Sequence, residues 1–162
     1  MTLSTDSART QVVEILGCSI FHAKGLRESL GNEKDALAAQ NMDALVAAIE
    51  DKGTQVRELQ LLDVKRSELC RESGFSDGPE QMDRFTEWCD QNSQVARSWT
   101  QLLELADECN TLNMSNGAVI RVRRQQVEDG LSVLRGQEPG APTYGRNGVN
   151  RDGLANRAIA EA

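Results

Sequence analysis

The chain is poor in aromatic residues and in proline. Aromatic residues make up 4% of its 162 residues, and there are three prolines. A core with so few large rings must be built from aliphatic side chains, and such a composition favours helices over sheet. Several stretches place apolar residues at helical spacing, and none alternates cleanly with the period of two that a half-buried strand shows. The composition and the spacing therefore predict an all-α fold.

Potential metal ligands are also scarce and scattered. The single histidine, His22, lacks the Glu-x-x-His context that binds metals in di-iron bundles. The four cysteines, Cys18, Cys70, Cys89 and Cys109, form no C-x-x-C pair. A structural zinc site needs four ligands close together, and no such cluster occurs. We therefore predict reduced cysteines that lie partly in the core, and neither a metal nor another cofactor.

Catalytic and membrane signals are missing as well. The sequence has no P-loop, no G-x-S-x-G and no dinucleotide-binding fingerprint, and nearly all of its carboxylates fall on helix faces predicted to be exposed. We therefore predict that the protein is not an enzyme. No leader pattern is present, and no apolar run approaches the roughly 18 residues that a membrane span needs. We expect a cytoplasmic protein without stable membrane insertion.

Charge is unevenly distributed along the chain. The net charge is −7, which argues against general nucleic-acid binding, because phosphate neutralisation needs a basic face. Residues 1–110 hold 11 basic and 20 acidic side chains, a net of −9, whereas residues 111–162 hold 7 and 5, a net of +2. An acidic body with a mildly basic end offers two kinds of surface to partners.

Three arginines form the one local basic cluster, Arg121, Arg123 and Arg124. One interpretation is a solvated helix face on which these arginines have Glu128 and Asp129 as helical neighbours. The other interpretation is contact with an acidic partner protein. Nucleic acid is disfavoured here too, because no aromatic residues interleave with the arginines.

Helical periodicity predicts two long helices in the first half of the chain. The first is expected over residues 7–39, with Asp6 or Ser7 as its cap. Gln40-Asn41 reads as a turn, with Asn41 capping a second helix over residues 42–72. The alternative is a single unbroken helix of about 65 residues.

Gly74, Gly78 and Pro79 form the clearest boundary in the chain, since they end one helix and begin another. A third helix is expected over residues 79–134, either continuous or broken near Asn113–Gly117, which would make four helices. The predicted architecture is an antiparallel bundle or coiled coil over residues 1–135. The glycine- and proline-rich residues 136–162 are predicted to form a flexible tail.

The second half of the third predicted helix has an unusually polar seam. Asn113, Asn116 and Gly117 lie where a plain coiled coil would carry apolar residues. These residues could form a turn that breaks the helix. Alternatively, the amides could fix the register of a packed seam, with glycine allowing another backbone to approach closely. We interpret the chain before residue 110 as scaffold and residues 110–135 as a partner-binding half-helix.

Three sequence pieces near the C-terminus occur in a distinctive order. They are Leu112-Asn113-x-x-Asn116-Gly117-x-x-Ile120, then Leu131-x-x-Leu134-x-Gly136, then Tyr144-Gly145-x-x-Gly148. Following two long helices, they resemble the FlgN family of flagellar type III export chaperones. The resemblance implies a cytoplasmic helical bundle without ATPase activity. It would bind C-terminal helical segments of the hook–filament junction (hook-associated) proteins and deliver them to the export apparatus.

The resemblance also implies which residues contact the client protein. Carried over to matching positions, they are Leu112, Asn113, Asn116, Gly117, Ile120, Leu131 and Leu134. An exposed apolar stripe suited to cover an aggregation-prone client helix would add Val119 and Val127. Tyr144, the only tyrosine, would contact the export apparatus. The competing hypothesis is a structural coiled-coil adaptor that oligomerises through residues 112–134.

Overall fold

A computed structural model describes residues 4–136, and this part of the chain contains four α-helices and no strand. The helices are α1 (Thr5–Ala39), α2 (Met42–Glu72), α3 (Gln81–Cys89) and α4 (Gln94–Leu134). The predicted all-α bundle is confirmed. The predicted tail over residues 136–162 lies, apart from Gly136, outside the described residues, so its flexibility and the domain boundary before it stay predictions.

Local side-chain chemistry separates α1 from α2, as predicted. Gln40 adopts a left-handed conformation with φ 56°, and its N–H donates to carbonyls of the last turn of α1. The Asn41 Oδ1 accepts the Ala44 N–H at 3.1 Å and caps α2. The cap of α1 differs from the prediction. Ser4 accepts the Ser7 N–H at 3.3 Å, so the helix begins earlier than expected.

The core of the bundle lies where α3 covers one end of the α1–α2 hairpin. Phe85 of α3 is fully buried and meets Phe75 edge to face, with the ring centroids 5.7 Å apart. Trp88 packs at a tilt against both phenylalanines but stays 39% exposed, so it borders the core. The fully or nearly fully buried members of this core are Ala8, Val12, Leu16, Leu69, Cys70, Met82, Phe85, Cys89 and Val95.

The helix expected over residues 79–134 is interrupted, and the interruption is not at Asn113–Gly117. Residues 90–93 separate α3 from α4, and α4 is helical throughout residues 113–117. The Asp90 side chain accepts the Ala96 N–H at 2.9 Å, and Ser93 has a left-handed φ of 60°. Such local side-chain hydrogen bonds compete with the backbone hydrogen bonds of a helix, so α3 ends here. Both expectations, a continuous helix and a break near residue 115, were therefore wrong.

The chain divides into two compact units, Met1–Val119 and Ile120–Ala162. The first unit contains α1, α2, α3 and the first part of α4. The described part of the second unit is the remainder of α4, Ile120 to Leu134, together with Arg135 and Gly136.

Candidate protein-binding site

An apolar groove of about 720 Å³ lies in the first unit, among α1, α2 and α4. Its walls come from α2 and from residues 99–113 of α4, while α1 forms its floor. Most of its lining is aliphatic or aromatic, which suits an apolar partner. The lining includes Leu26 and Leu30 of the floor, Ile49 and Val56 of α2, and Trp99, Leu103, Ala106 and Asn113 of α4.

The groove exists because α4 lies further from α1 than α2 does. The contacts between α4 and α1 are made by side chains. α1 and α2 pack closely along their lengths. The Cys109 Sγ donates to the Ala23 carbonyl at 3.6 Å, and the Asn116 Nδ2 donates to the Leu30 carbonyl at 2.9 Å. Both pairs are 86 residues apart, so this part of α4 runs parallel to α1. α2 and α4 are thereby left as two walls of one groove.

A stacked cation bridges the two walls at one end of the groove. The Arg66 guanidinium of α2 lies over the Trp99 ring of α4, 5.2 Å from the ring centroid. Arg66 also forms a salt bridge with Asp63 at 2.7 Å, which holds the Arg66 guanidinium in place. Ile49 and Asn113 lie towards the opposite end, one on each wall. The contact between Arg66 and Trp99 therefore borders one end of the groove.

A buried polar network holds α1, α2 and α4 in register beside the groove. Glu33 and Asn116 are each 2% exposed. The Asn116 Nδ2 donates to the Glu33 Oε2 at 2.8 Å, and the Lys52 Nζ donates to the Glu33 Oε1 at 2.7 Å. Both oxygens of the buried carboxylate are therefore satisfied. This geometry agrees with a register-fixing amide and not with a turn at Asn116.

A stripe of exposed apolar side chains follows the second unit's part of α4. Ile120, Val127, Leu131 and Leu134 are 42%, 62%, 44% and 84% exposed. Their spacings of seven, four and three residues place them on one helix face. This half-helix presents the seam that a coiled-coil partner would cover.

The arginine cluster has helical neighbours, as one of the two interpretations expected. The Arg124 Nε lies 2.9 Å from the Glu128 Oε1, four residues further along the helix. Gln125 donates to the Asp129 carboxylate at 2.8 Å in the same way. Arg121 and Arg124 remain exposed, so contact with an acidic partner stays a prediction.

The structure divides the predicted client-contacting residues between different surroundings. Asn113 lines the groove, Asn116 belongs to the buried network, and Leu112 and Gly117 are half-buried. Val119 is exposed, as are the four members of the stripe. Tyr144 lies outside the described residues. Whether any of these residues contacts a client stays a prediction.

Sequence reasoning missed the α2 wall of the groove. Ile49 and Val56 line this wall and are 44% and 36% exposed, whereas the sequence predicted a binding surface only over residues 110–135. A helix that packs against a single partner helix needs only a narrow apolar stripe. The apolar stripe of α2 is wider than packing against α1 alone requires. This width was the sequence signal for a second contact surface on α2.

The described residues offer apolar surface and little reactive chemistry. Among residues 4–136, no group of three or more His, Cys, Asp or Glu side chains is placed to hold a metal ion. Burial raises the pKa of Cys89 to about 11 and also raises the pKa values of Cys70 and Cys109. These thiols are therefore protonated at neutral pH and weakly nucleophilic.

None of the described helices is long and apolar enough to cross a membrane.

An apolar groove and an exposed apolar half-helix are features typical of helical modules that bind other proteins. The chain matches the family model described as FlgN protein over residues 9–152. Because this match covers most of the chain, the chain belongs to the FlgN family, a family of flagellar export chaperones and not of enzymes. The resemblance noted in the sequence is confirmed. No curated protein and no solved structure gave a match.

Proposed function

We propose that this protein is a cytoplasmic chaperone that binds the C-terminal helical segments of hook–filament junction proteins. It then delivers them to the flagellar type III export apparatus. The observation that supports this proposal is the row of exposed apolar side chains on α4, from Ile120 to Leu134, in a member of the FlgN family. A soluble chain keeps such a contiguous apolar face exposed at a cost, unless a partner covers it.

The spacing of the stripe suits an amphipathic helix as the client segment. Each side chain that becomes well buried contributes roughly 1.5–3 kcal/mol before the cost of ordering the partner. Leu112, Asn113, Gly117 and Val119 extend the proposed client surface towards the N-terminus of α4. Asn116 supports this surface indirectly, because its buried amide fixes the register of α4 against α1.

Two valines of α4 provide a matched test of the client surface. Val127 belongs to the stripe, whereas Val122 is five residues away and points about 140° from it around the helix. The two are similarly exposed, at 62% and 58%. Val127→Asp should weaken binding to the hook–filament junction proteins of the same organism at least about tenfold, because it would bury an unpaired carboxylate. Calorimetry with the purified full-length proteins measures this.

Val122→Asp is the control and should bind the client within about threefold of the unchanged protein, since its side chain stays in water. Circular dichroism should show the same helix content for both variants. Equal binding by Val127→Asp and Val122→Asp would remove the stripe from the client surface. Failure of the unchanged protein to bind any of the organism's hook–filament junction proteins would refute the proposed function itself.

A further inference from the structure

The two walls of the apolar groove repeat at the spacing of a coiled-coil seam. The α4 wall has lining residues that are alternately three and four residues apart: Trp99, Leu102, Ala106, Cys109 and Asn113. The α2 wall repeats in the same way from Ile49 to Arg66. This spacing forms rows of knobs and holes along a helix, and another helix is the element that fits them. The groove therefore suits a helix better than a compact small molecule.

The groove is long enough for about four helical turns. Its α4 wall, from Trp99 to Asn113, covers fourteen residue steps, which is about 21 Å. Its α2 wall covers seventeen, which is about 25 Å. Ile49 of one wall and Leu103 of the other are 44% and 51% exposed. A helix laid between the walls would remove both from water, which is the main driving force of helix association.

The charges inside the groove are already paired. The charged side chains among its described lining residues are Lys52, Asp63 and Arg66. Lys52 forms a salt bridge with Glu33 at 2.7 Å, and Arg66 forms one with Asp63 at 2.7 Å. The inner surface of the groove therefore calls for an apolar face on the helix that occupies it.

The surroundings of the groove are acidic. An exposed carboxylate follows a lining residue on each wall, Glu50 after Ile49 and Asp107 after Ala106. The unit that contains the groove, Met1–Val119, holds 11 basic and 20 acidic side chains, a net of −9. A negative potential attracts positively charged partners and repels acidic ones. The occupant should therefore carry basic side chains beside its apolar stripe.

We propose that the groove of the first unit is a docking site for a partner protein that presents a basic amphipathic helix of about four turns. The apolar stripe of this helix lies between α2 and α4, and its lysines and arginines lie beside Glu50 and Asp107. The site uses other residues of α4 than the client surface proposed on the half-helix. The inference goes beyond the proposed function and does not depend on it.

A pair of designed peptides tests the site in the full-length protein. Both have about sixteen residues, which is about 24 Å of helix, leucines at heptad spacing and no aromatic residue. One carries lysines beside the leucines, and its twin carries glutamates there. Calorimetry should show that the lysine peptide binds at least about tenfold more tightly than the glutamate peptide, and added salt should narrow this difference.

Trp99 reports where the lysine peptide binds, because its ring lines the groove. The chain has two tryptophans, so a Trp88→Phe variant leaves Trp99 as the only one. Its fluorescence emission should shift to shorter wavelengths when the lysine peptide covers the ring. Binding without such a shift would place the peptide outside the groove and overturn the inference.

Two exposed alanines of α4 provide a matched pair of variants. Ala106 lines the groove, whereas Ala118 does not belong to its lining. Ala106→Gln should weaken binding of the lysine peptide at least about tenfold, because it places an unpaired amide in the middle of the apolar contact. Ala118→Gln makes the same change in water and should bind within about threefold of the unchanged protein. Circular dichroism should show equal helix content for both variants.

The acidic surroundings are tested by Glu50→Gln combined with Asp107→Asn, which remove charge and keep the shape of the side chains. This double variant should bind the lysine peptide at least about threefold more weakly and the glutamate peptide no more weakly than before. Unchanged binding of the lysine peptide would remove these two carboxylates from the site.

Three results would overturn the inference as a whole: equal affinity for the two peptides, equal losses in Ala106→Gln and Ala118→Gln, or no binding of the lysine peptide. Val127→Asp should not weaken the lysine peptide, because Val127 lies on the half-helix; a loss as large as that of Ala106→Gln would also contradict the groove. The proposed function fails separately. A chain that binds hook–filament junction proteins but not the lysine peptide overturns only the inference, and the reverse overturns only the proposed function.

Discussion

At the scale of single residues, Asn116 is a buried side chain of α4 that makes two hydrogen bonds to α1. Its amide donates both to a backbone carbonyl and to the buried Glu33 carboxylate, whose other oxygen is held by Lys52. A buried charge is tolerated only when its hydrogen bonds are complete. Asn116 therefore stabilises the bundle mainly because it gives a Glu33 carboxylate oxygen its hydrogen bond. Its replacement should lower the stability of the bundle.

Asn116→Ala should lower the free energy of unfolding by about 1–3 kcal/mol, because it leaves the Glu33 Oε2 and the Leu30 carbonyl without this donor. Asn113→Ala is the control, since Asn113 is exposed and should change stability by less than about 0.5 kcal/mol. Urea unfolding followed by circular dichroism measures both. Equal effects would show that the network adds nothing to stability.

At the scale of secondary-structure elements, the start of α4 depends on Asp90. Burial alone would raise the pKa of this carboxyl group, but the Ala96 N–H donates to it at 2.9 Å, and the N–H groups of the neighbouring backbone favour its ionised form. Together they hold its pKa below the ordinary value of 3.8. The ionised carboxylate thus favours the folded state, and this contribution is present above the unfolded pKa and lost as the pH falls through the folded one.

Asp90→Asn should lower stability at pH 7 by less than about 1 kcal/mol, because the residue is only half-buried and an amide oxygen still accepts hydrogen bonds. The difference between the two proteins should shrink as the pH falls below 3.8, since protonation removes the charge from Asp90. Urea unfolding at both ends of this pH range tests the sign. A difference that grows on acidification would contradict the assignment.

At the scale of the whole molecule, the two units differ in charge and in the surface that they present. Residues 1–119 contain 11 basic and 20 acidic side chains, and residues 120–162 contain 7 and 5. The acidic unit carries the groove, and the mildly basic unit carries the exposed half-helix. The proposed function therefore assigns client binding to the half-helix and delivery to the export apparatus to the C-terminal segment.

Tyr144→Ala should leave client binding unchanged and reduce export of the hook–filament junction proteins, because Tyr144 is the one aromatic residue in a stretch rich in glycine and proline. Tyr144→Phe is the matched control: retained export in this variant would assign the contact to the ring and not to the hydroxyl. A secretion assay run beside a client-binding assay separates the two steps. Normal export by Tyr144→Ala would remove this residue from the mechanism.

Much of the secondary structure was predictable because its causes are local. The cap at Asn41, the bounds of α2 and the end of α2 before Gly74 follow from side-chain and backbone preferences within a few residues. The interruption at residues 90–93 had equally local causes, but Asn and Asp residues also occur within helices. Only the hydrogen bond from Ala96 to Asp90 distinguishes the true break from the similar residues at Asn113–Gly117.

By itself, the sequence determined the all-α class, the polar seam of α4 and membership of the FlgN family, since periodicity and motif order are properties of the chain alone. Only the tertiary structure decided that Asn116 is buried against Glu33, and that α2 and α4 stand apart on α1 to leave a groove. The physical reason is distance along the chain. The partners in these contacts are more than 80 residues apart, and local preferences contain no information about which distant side chains meet.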